Sequence, residues 1–191
     1  MRDYLYIWHD PDQQFLVASG IEFKDFQPSL NQQGGVLLVE HQSETAAFDV
    51  ASGFSVAASA RLLELVNEDI YSWGNFVWAD YGTTNFSPIT DVEVAELLFF
   101  ARKARPLHGI SLPNLHNDFL GYAHDDGWYL KLYYSSWEKI EQLLSTATPS
   151  AIGMLDLAEL KQGRHGFWIR GGEMHNEEKT HDIDSVLNKR L

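Results

Sequence analysis

His116-Asn117-Asp118 and His124-Asp125-Asp126 place two imidazoles and three carboxylates within eleven residues. Imidazole with carboxylate is a ligand set that Zn, Fe or Mn accept, so His116, Asp118 and His124 are the candidates for a metal or polar-substrate site. Strand geometry argues for a plainer reading. Asp125 and Asp126 suit a turn, and His124 would face away from Asp125, so those two do not ligate one ion together. His9-Asp10 at a strand end carries the same two readings. Gly53-Phe54-Ser55-Val56-Ala57 resembles a nucleophile elbow with Ala in place of the last Gly, set between a strand and a helix. No Asp and His partners follow at convincing positions, so Ser55 is expected to cap a helix and no catalytic residue is assigned. Gly163-Arg164-His165-Gly166 with Arg170-Gly171-Gly172 could cradle an anion, though a mobile hairpin is the simpler expectation. No phosphate-binding loop, H-E-x-x-H or EF-hand loop occurs, and no cofactor is expected.

These residues must be positioned by a scaffold that is legible in part. Tyr4 to His9 and Phe15 to Ala18 read as strands joined by a turn at Asp10-Pro11-Asp12. Gly34-Gly35 opens a strand at Val36, and Ala46 to Val50 reads as another after a bend around Gln42 to Glu44. Ala58, Leu62, Leu65 and Val66 recur at helical spacing, which predicts a helix from about 55 to 68. Asn75 to Tyr81 is a strand with Phe76, Trp78 and Asp80 on one side. Thr90-Asp91-Val92-Glu93 is a capping box opening a helix that Pro106 stops. That helix is apolar around most of its circumference, so it should be buried on more than one side.

Phe119 to Asp125 and Trp128 to Tyr134 flank Asp126-Gly127, the strongest hairpin signal in the chain. A two-residue loop fixes the register: Ala123 opposes Leu130, Gly121 opposes Leu132 and Phe119 opposes Tyr134. The other face would carry Tyr122, His124, Tyr129, Lys131 and Tyr133, an amphipathic set and the candidate binding surface. Ser135-Ser136-Trp137-Glu138 starts a helix through about Ala147. Residues 152 to 160 stand between a short helix and a loop, and Gly166 to Arg170 reads as a strand. The expected fold is α+β, a largely antiparallel sheet with three to four helices packed on it. It forms a single domain over residues 1 to 172, and 173 to 191 form a polar, partly mobile tail where Ile183, Val186 and Leu187 permit one last helical turn.

At 191 residues the chain is long enough for one well-filled core, and 25 aromatics (6 Trp, 8 Tyr, 11 Phe) rule out a disordered polymer. It has no cysteine, hence no disulfide. Lys and Arg number 14 against 27 Asp and Glu, a formal charge of -13, which is the wrong sign for binding phosphates and sets nucleic acid and anionic lipid aside. Residues 1 to 50 alone hold two bases and eight acids. Asp3, His9 and Asp10 interrupt the opening apolar residues, so no secretion signal is expected, and no apolar run approaches the ~18 residues of a membrane span. A cytoplasmic location follows as the economical expectation.

The stretches Asp69-Ile70-Tyr71-Ser72-Trp73-Gly74, Asp91-Val92-Glu93-Val94-Ala95-Glu96-Leu97-Leu98 and Tyr122-Ala123-His124-Asp125-Asp126-Gly127-Trp128-Tyr129 resemble a family of uncharacterised small proteins of Gram-positive bacteria. The resemblance implies no activity and no catalytic residue. The expected function is a non-enzymatic interaction protein binding a basic protein partner, as antitoxin and immunity proteins do by analogy. The alternative is a small metal- or ligand-binding enzyme using His116, Asp118 and His124. The sequence leaves the oligomeric state open.

Overall fold

The computed structural model describes residues 4–30, 34–68, 74–82, 86, 89–124, 129–147, 157–162, 166–170 and 173–177. Ten strands are described: β1 (Tyr4–Asp10), β2 (Phe15–Ser19), β3 (Gly35–Val39), β4 (Ala47–Asp49), β5 (Phe54–Ala58), β6 (Phe76–Tyr81), β7 (Phe119–His124), β8 (Tyr129–Tyr134), β9 (Gly166–Arg170) and β10 (Glu173–Glu177). They form one sheet in the order β10-β9-β1-β2-β8-β7-β6-β3-β5-β4, with each neighbouring pair antiparallel. The helices are α1 (Phe23–Phe26), α2 (Leu62–Leu65), α3 (Asp91–Lys103), α4 (Trp137–Ala147) and α5 (Leu157–Gln162). The class is α+β, as the run of strands and segregated helices implies. No described helix is long and apolar enough to cross a membrane.

Strands alternate their side chains between two faces, and here both faces are covered. One face, including Ile7, Leu38, Trp78 and Leu132, packs under Phe23 and Phe26 of α1, Leu62 and Leu65 of α2, Ile140 and Leu143 of α4 and Leu160 of α5. The other, including Leu37, Val77, Leu120 and Tyr133, packs under Leu97 and Phe100 of α3 and under Leu112 and Leu115. Near-continuous apolar strands such as Val36 to Val39 follow from this double covering, since a sheet with one wet face would alternate apolar with polar residues.

The start of α3 follows from its capping box. Thr90 Oγ1 accepts the Glu93 amide at 3.3 Å, and Glu93 Oε2 accepts the Thr90 amide at 2.8 Å. The same buried carboxylate accepts the Asn114 amide at 2.7 Å and the Asn114 side chain at 3.0 Å, so it also ties the 112–117 loop to the helix. Burial alone would raise the Glu93 pKa, but these bonds outweigh it and hold it below the usual carboxylate range. Thr90→Ala is expected to lower stability by about 1 kcal/mol in urea unfolding, the usual cost of losing an N-cap acceptor.

Two expectations are corrected and one open stretch is partly settled. The chain does not enter a helix at residue 55: Phe54–Ala58 is strand β5, a 3-10 turn at Ser59–Arg61 follows, and only Leu62–Leu65 is α-helical. Phe54 packs on one face of the sheet and Ala57 on the other, so period two governs this stretch although Ala58 and Leu62 mimic a helical step. Glu173–Glu177, expected in a mobile tail, is strand β10 and pairs with β9 from Arg170↔Glu173 to Gly166↔Glu177. Of the ambiguous stretch 152–160, residues 157–160 belong to a helix that runs to Gln162, and 152–156 lie outside the described residues. The helical turn expected around 183–187 lies outside the described residues.

Candidate functional site

The hairpin of β7 and β8 has the expected register, with Phe119↔Tyr134, Gly121↔Leu132, Ala123↔Leu130 and His124↔Tyr129 opposed. The turn itself, 125–128, lies outside the described residues. The face taken for a binding surface is mostly covered, because α3 and the 112–115 segment lie over that side of the sheet. Tyr122, Lys131 and Tyr133 are buried, and only His124 (half-buried) and Tyr129 (38% exposed) approach solvent at the turn end. The Lys131 ammonium lies over the Phe15 ring, 4.3 Å from its centroid, and 5.4 Å from that of Tyr133. These contacts help a buried cation by placing it against the negative faces of two rings.

His116, Asp118 and His124 do not converge. Asp118 and His124 stand at opposite ends of the same extended stretch, roughly 20 Å apart at the usual strand rise, well beyond the reach of one metal ion. His116 is an exposed residue in the left-handed region, with φ of 50°, at the end of a turn. Among the described residues no group of three or more His, Cys, Asp or Glu is placed to hold a metal. The chemistry of this segment lies instead in Asn117. Its Oδ1 accepts the Leu112 amide at 2.8 Å and its Nδ2 donates to Ile110 at 2.8 Å, closing the loop that covers the sheet.

Asp118 belongs to a different constellation. Its Oδ1 accepts from Ser135 Oγ at 2.9 Å and its Oδ2 meets Lys139 Nζ at 2.8 Å, linking the start of β7 to the end of β8 and to α4. Behind it Asp80 is 1% exposed, and its Oδ1 accepts the amides of Asp118 at 3.0 Å and Phe119 at 2.6 Å. Asp80 Oδ2 is buried without a hydrogen-bond partner. Burial is the main reason that the Asp80 pKa rises to about 7, with the Asp118 charge adding to it and the two amides opposing. A carboxyl that changes charge near neutrality is a common mark of an active site, but this one is sealed from solvent and its bonded oxygen serves the backbone. The sequence did carry a signal for it, an acid on the same side of a strand as Phe76 and Trp78.

His9 is buried as well. Its Nδ1 lies 2.7 Å from the Leu160 carbonyl, which can only accept, so Nδ1 carries the proton. Burial lowers the His9 pKa and favours the neutral ring, leaving Nε2 to accept from the Tyr134 hydroxyl. The dyad fastens β1 and β8 to α5. Its neighbour Asp10 receives the amides of Asp12 at 3.0 Å and Gln13 at 3.1 Å, which makes the β1–β2 turn. Ser55, the elbow candidate, is 2% exposed inside β5 and pairs with Leu38, so it has neither the strained turn nor the access a nucleophile requires. Of the glycine-rich stretches only Gly166 and Arg170 are described, at the two ends of β9; residues 163–165 and 171–172 lie outside the described residues.

Among the described residues, large apolar side chains stand exposed at the β4 end of the sheet as well as at Leu63, Val92 and Leu107. β4 closes the sheet order, and Phe48 (55% exposed) and Val50 (85% exposed) stand free there. The segment is nevertheless well fixed. Glu68 accepts from Ser43 Oγ at 2.6 Å and from the Thr45 amide at 2.8 Å, ahead of the strand. After it, the Asp49 carboxylate accepts the Ser52 amide at 2.9 Å and hydroxyl at 2.6 Å, and Gly53 takes the positive φ of 76° that the turn into β5 requires. Comparison of the chain with models of known families, with curated proteins and with solved structures gives no match.

Proposed function

We propose that this chain is a non-enzymatic interaction protein of the cytoplasm that captures a basic protein partner. The observation that carries the reading is its uncompensated negative charge, -13 from 27 acids and 14 bases. That charge is turned outward: Asp12, Glu40, Glu44, Asp91, Glu141 and Glu159 are exposed, on elements spread through the chain. A field of one sign steers a cationic partner and disfavours nucleic acid and anionic lipid, whose phosphates it repels. The analogy to antitoxin and immunity proteins rests on this charge logic alone.

The reading is tested with a protein recovered on the immobilised chain from native extract and then purified. Its affinity for the chain should fall about tenfold or more between about 0.05 and 0.5 M salt, since exposed charge attraction weakens as the screening length shortens. A partner that is acidic, or one whose affinity ignores salt, contradicts it.

A further inference from the structure

The two long helices differ in what they leave outward. α3 packs on the sheet through Leu97 and Phe100, with Glu93 buried on the same side. Its opposite side carries Asp91, Val92, Ala95 and Arg102, all exposed, with Lys103 beside them. Val92 is 69% exposed, and Phe99, half-buried one turn beyond Ala95, is in neither of the clusters that pack on the sheet. On α4 the exposed residues are Glu138, Lys139, Glu141, Gln142, Ser145 and Thr146, polar throughout. A helix ordinarily turns polar residues to water opposite its core stripe, and α3 departs from this with a second apolar line, Val92, Ala95 and Phe99.

The charges at the two ends of that line decide what fits it. Asp91 and Arg102 are eleven residues apart, three turns and about 16 Å along the axis, and so lie on one side of the helix. Acid at the N-terminal end and base at the C-terminal end suit the helix dipole, but the dipole does not account for the apolar residues between them. A cationic segment laid here would meet Arg102 and Lys103, and an acidic one would meet Asp91 on a chain of charge -13. A second α3 running antiparallel is complementary at both ends: each Asp91 comes opposite the second copy's Arg102, and Val92, Ala95 and Phe99 of both copies lie between the two ion pairs. Among the described residues Asp91, Arg102 and Lys103 make no ion pair within the chain. The like net charge of two copies opposes their approach, and salt of about 0.15 M confines that repulsion to about 8 Å.

We propose that two copies of this chain pair in solution through the outer faces of α3, antiparallel about a two-fold axis. The inference is independent of the basic-partner reading, which needs only the exposed acids. Two 13-residue helices make a small interface, so the pair is weak and forms at high protein concentration.

The test is sedimentation of the full chain from about 5 μM to about 1 mM in about 0.15 M salt. The parent should pass from monomer towards dimer over this range. Ala95→Glu, at an exposed helical position, puts a carboxylate among apolar side chains and should weaken the dimer by about tenfold or more while the melting temperature stays at the parent value. Asp91→Arg and Arg102→Asp chains, each confirmed folded by its melting curve, should fail to pair alone, because like charges then meet at both ends. Mixed together they should pair, because opposite charges meet again. A parent that stays monomeric throughout overturns the proposal, as does a dimer that ignores Ala95→Glu. Pairing of either charge variant alone as tightly as the parent, or no pairing of the mixture, overturns it too. Protection of α3 amides by lipid vesicles while the parent remains monomeric makes a membrane the occupant and likewise overturns it.

Discussion

Asp80→Asn is expected to make the protein more stable than the parent at pH 8 and to lose that advantage near pH 4. An unfolded Asp80 releases its proton near the model value of 3.8, whereas the folded one holds it until about 7. Between those values the native state binds a proton that the unfolded chain has given up, so this residue's contribution to stability falls as pH rises. The interval corresponds to about 4 kcal/mol, nearly all of it present by pH 8. Asn keeps the oxygen that accepts the Asp118 and Phe119 amides and cannot ionise. The difference between the two unfolding free energies, measured in urea from pH 4 to 8, should therefore open with pH through this window. Parallel curves would show that Asp80 is ionised in the native state at pH 5. The subtraction matters because other groups slope the opposite way. His9, lowered by burial, and Glu93, lowered by its hydrogen bonds, both make the parent less stable as pH falls, His9 below about 6.5 and Glu93 below about 4.5.

The second large effect is steric. Trp78 is fully buried on β6, its ring held by Phe23 at 5.3 Å and Phe26 at 5.8 Å between centroids. It stands opposite Gly121 in the β6–β7 pairing, and a Cβ on that glycine would lie 2.2 Å from Trp78 Cε2 and 2.3 Å from Nε1. The indole and the two phenyl rings are all buried, so moving any of them displaces packed neighbours. Gly121→Ala should cost about 2–3 kcal/mol, at the upper end of ordinary overpacking. Trp78→Phe should cost about 2 kcal/mol through the space it leaves. The double variant is expected to be clearly more stable than the sum of the two losses predicts, because the new methyl then enters the vacated space. Strict additivity in urea unfolding would contradict the contact.

The close approach of Trp78 to Gly121 also explains how far the sequence could be read. The register of β7 on β8 was legible because a two-residue loop at Asp126-Gly127 and a period of two leave little freedom. The order of strands was not, since pairing of β6 with β7 spans the whole of α3 and depends on packing that no local pattern encodes. The same gap accounts for the misplaced binding face. Tyr122, Lys131 and Tyr133 have polar tips and long apolar bodies, so they suit either a wet surface or a lined interior. The clue lay in α3, too apolar around its circumference to serve one face alone, and it is α3 that covers them. Ser55 was misread because Ala58, the last residue of β5, continues the helical spacing of Leu62, Leu65 and Val66 in and after α2, so the helix was begun one strand too early. α1, only four residues long, offers too few positions to show a period. The His and Asp pairs drew attention through composition, whereas the titrating residue that the fold does create, Asp80, was marked only by lying among apolar neighbours.

The central claim, that an outward negative field captures a basic protein, is tested most directly by the affinity of the full chain for its purified partner as salt is raised from about 0.05 to about 0.5 M. A fall of about tenfold or more is the predicted result. An affinity that ignores salt would contradict it.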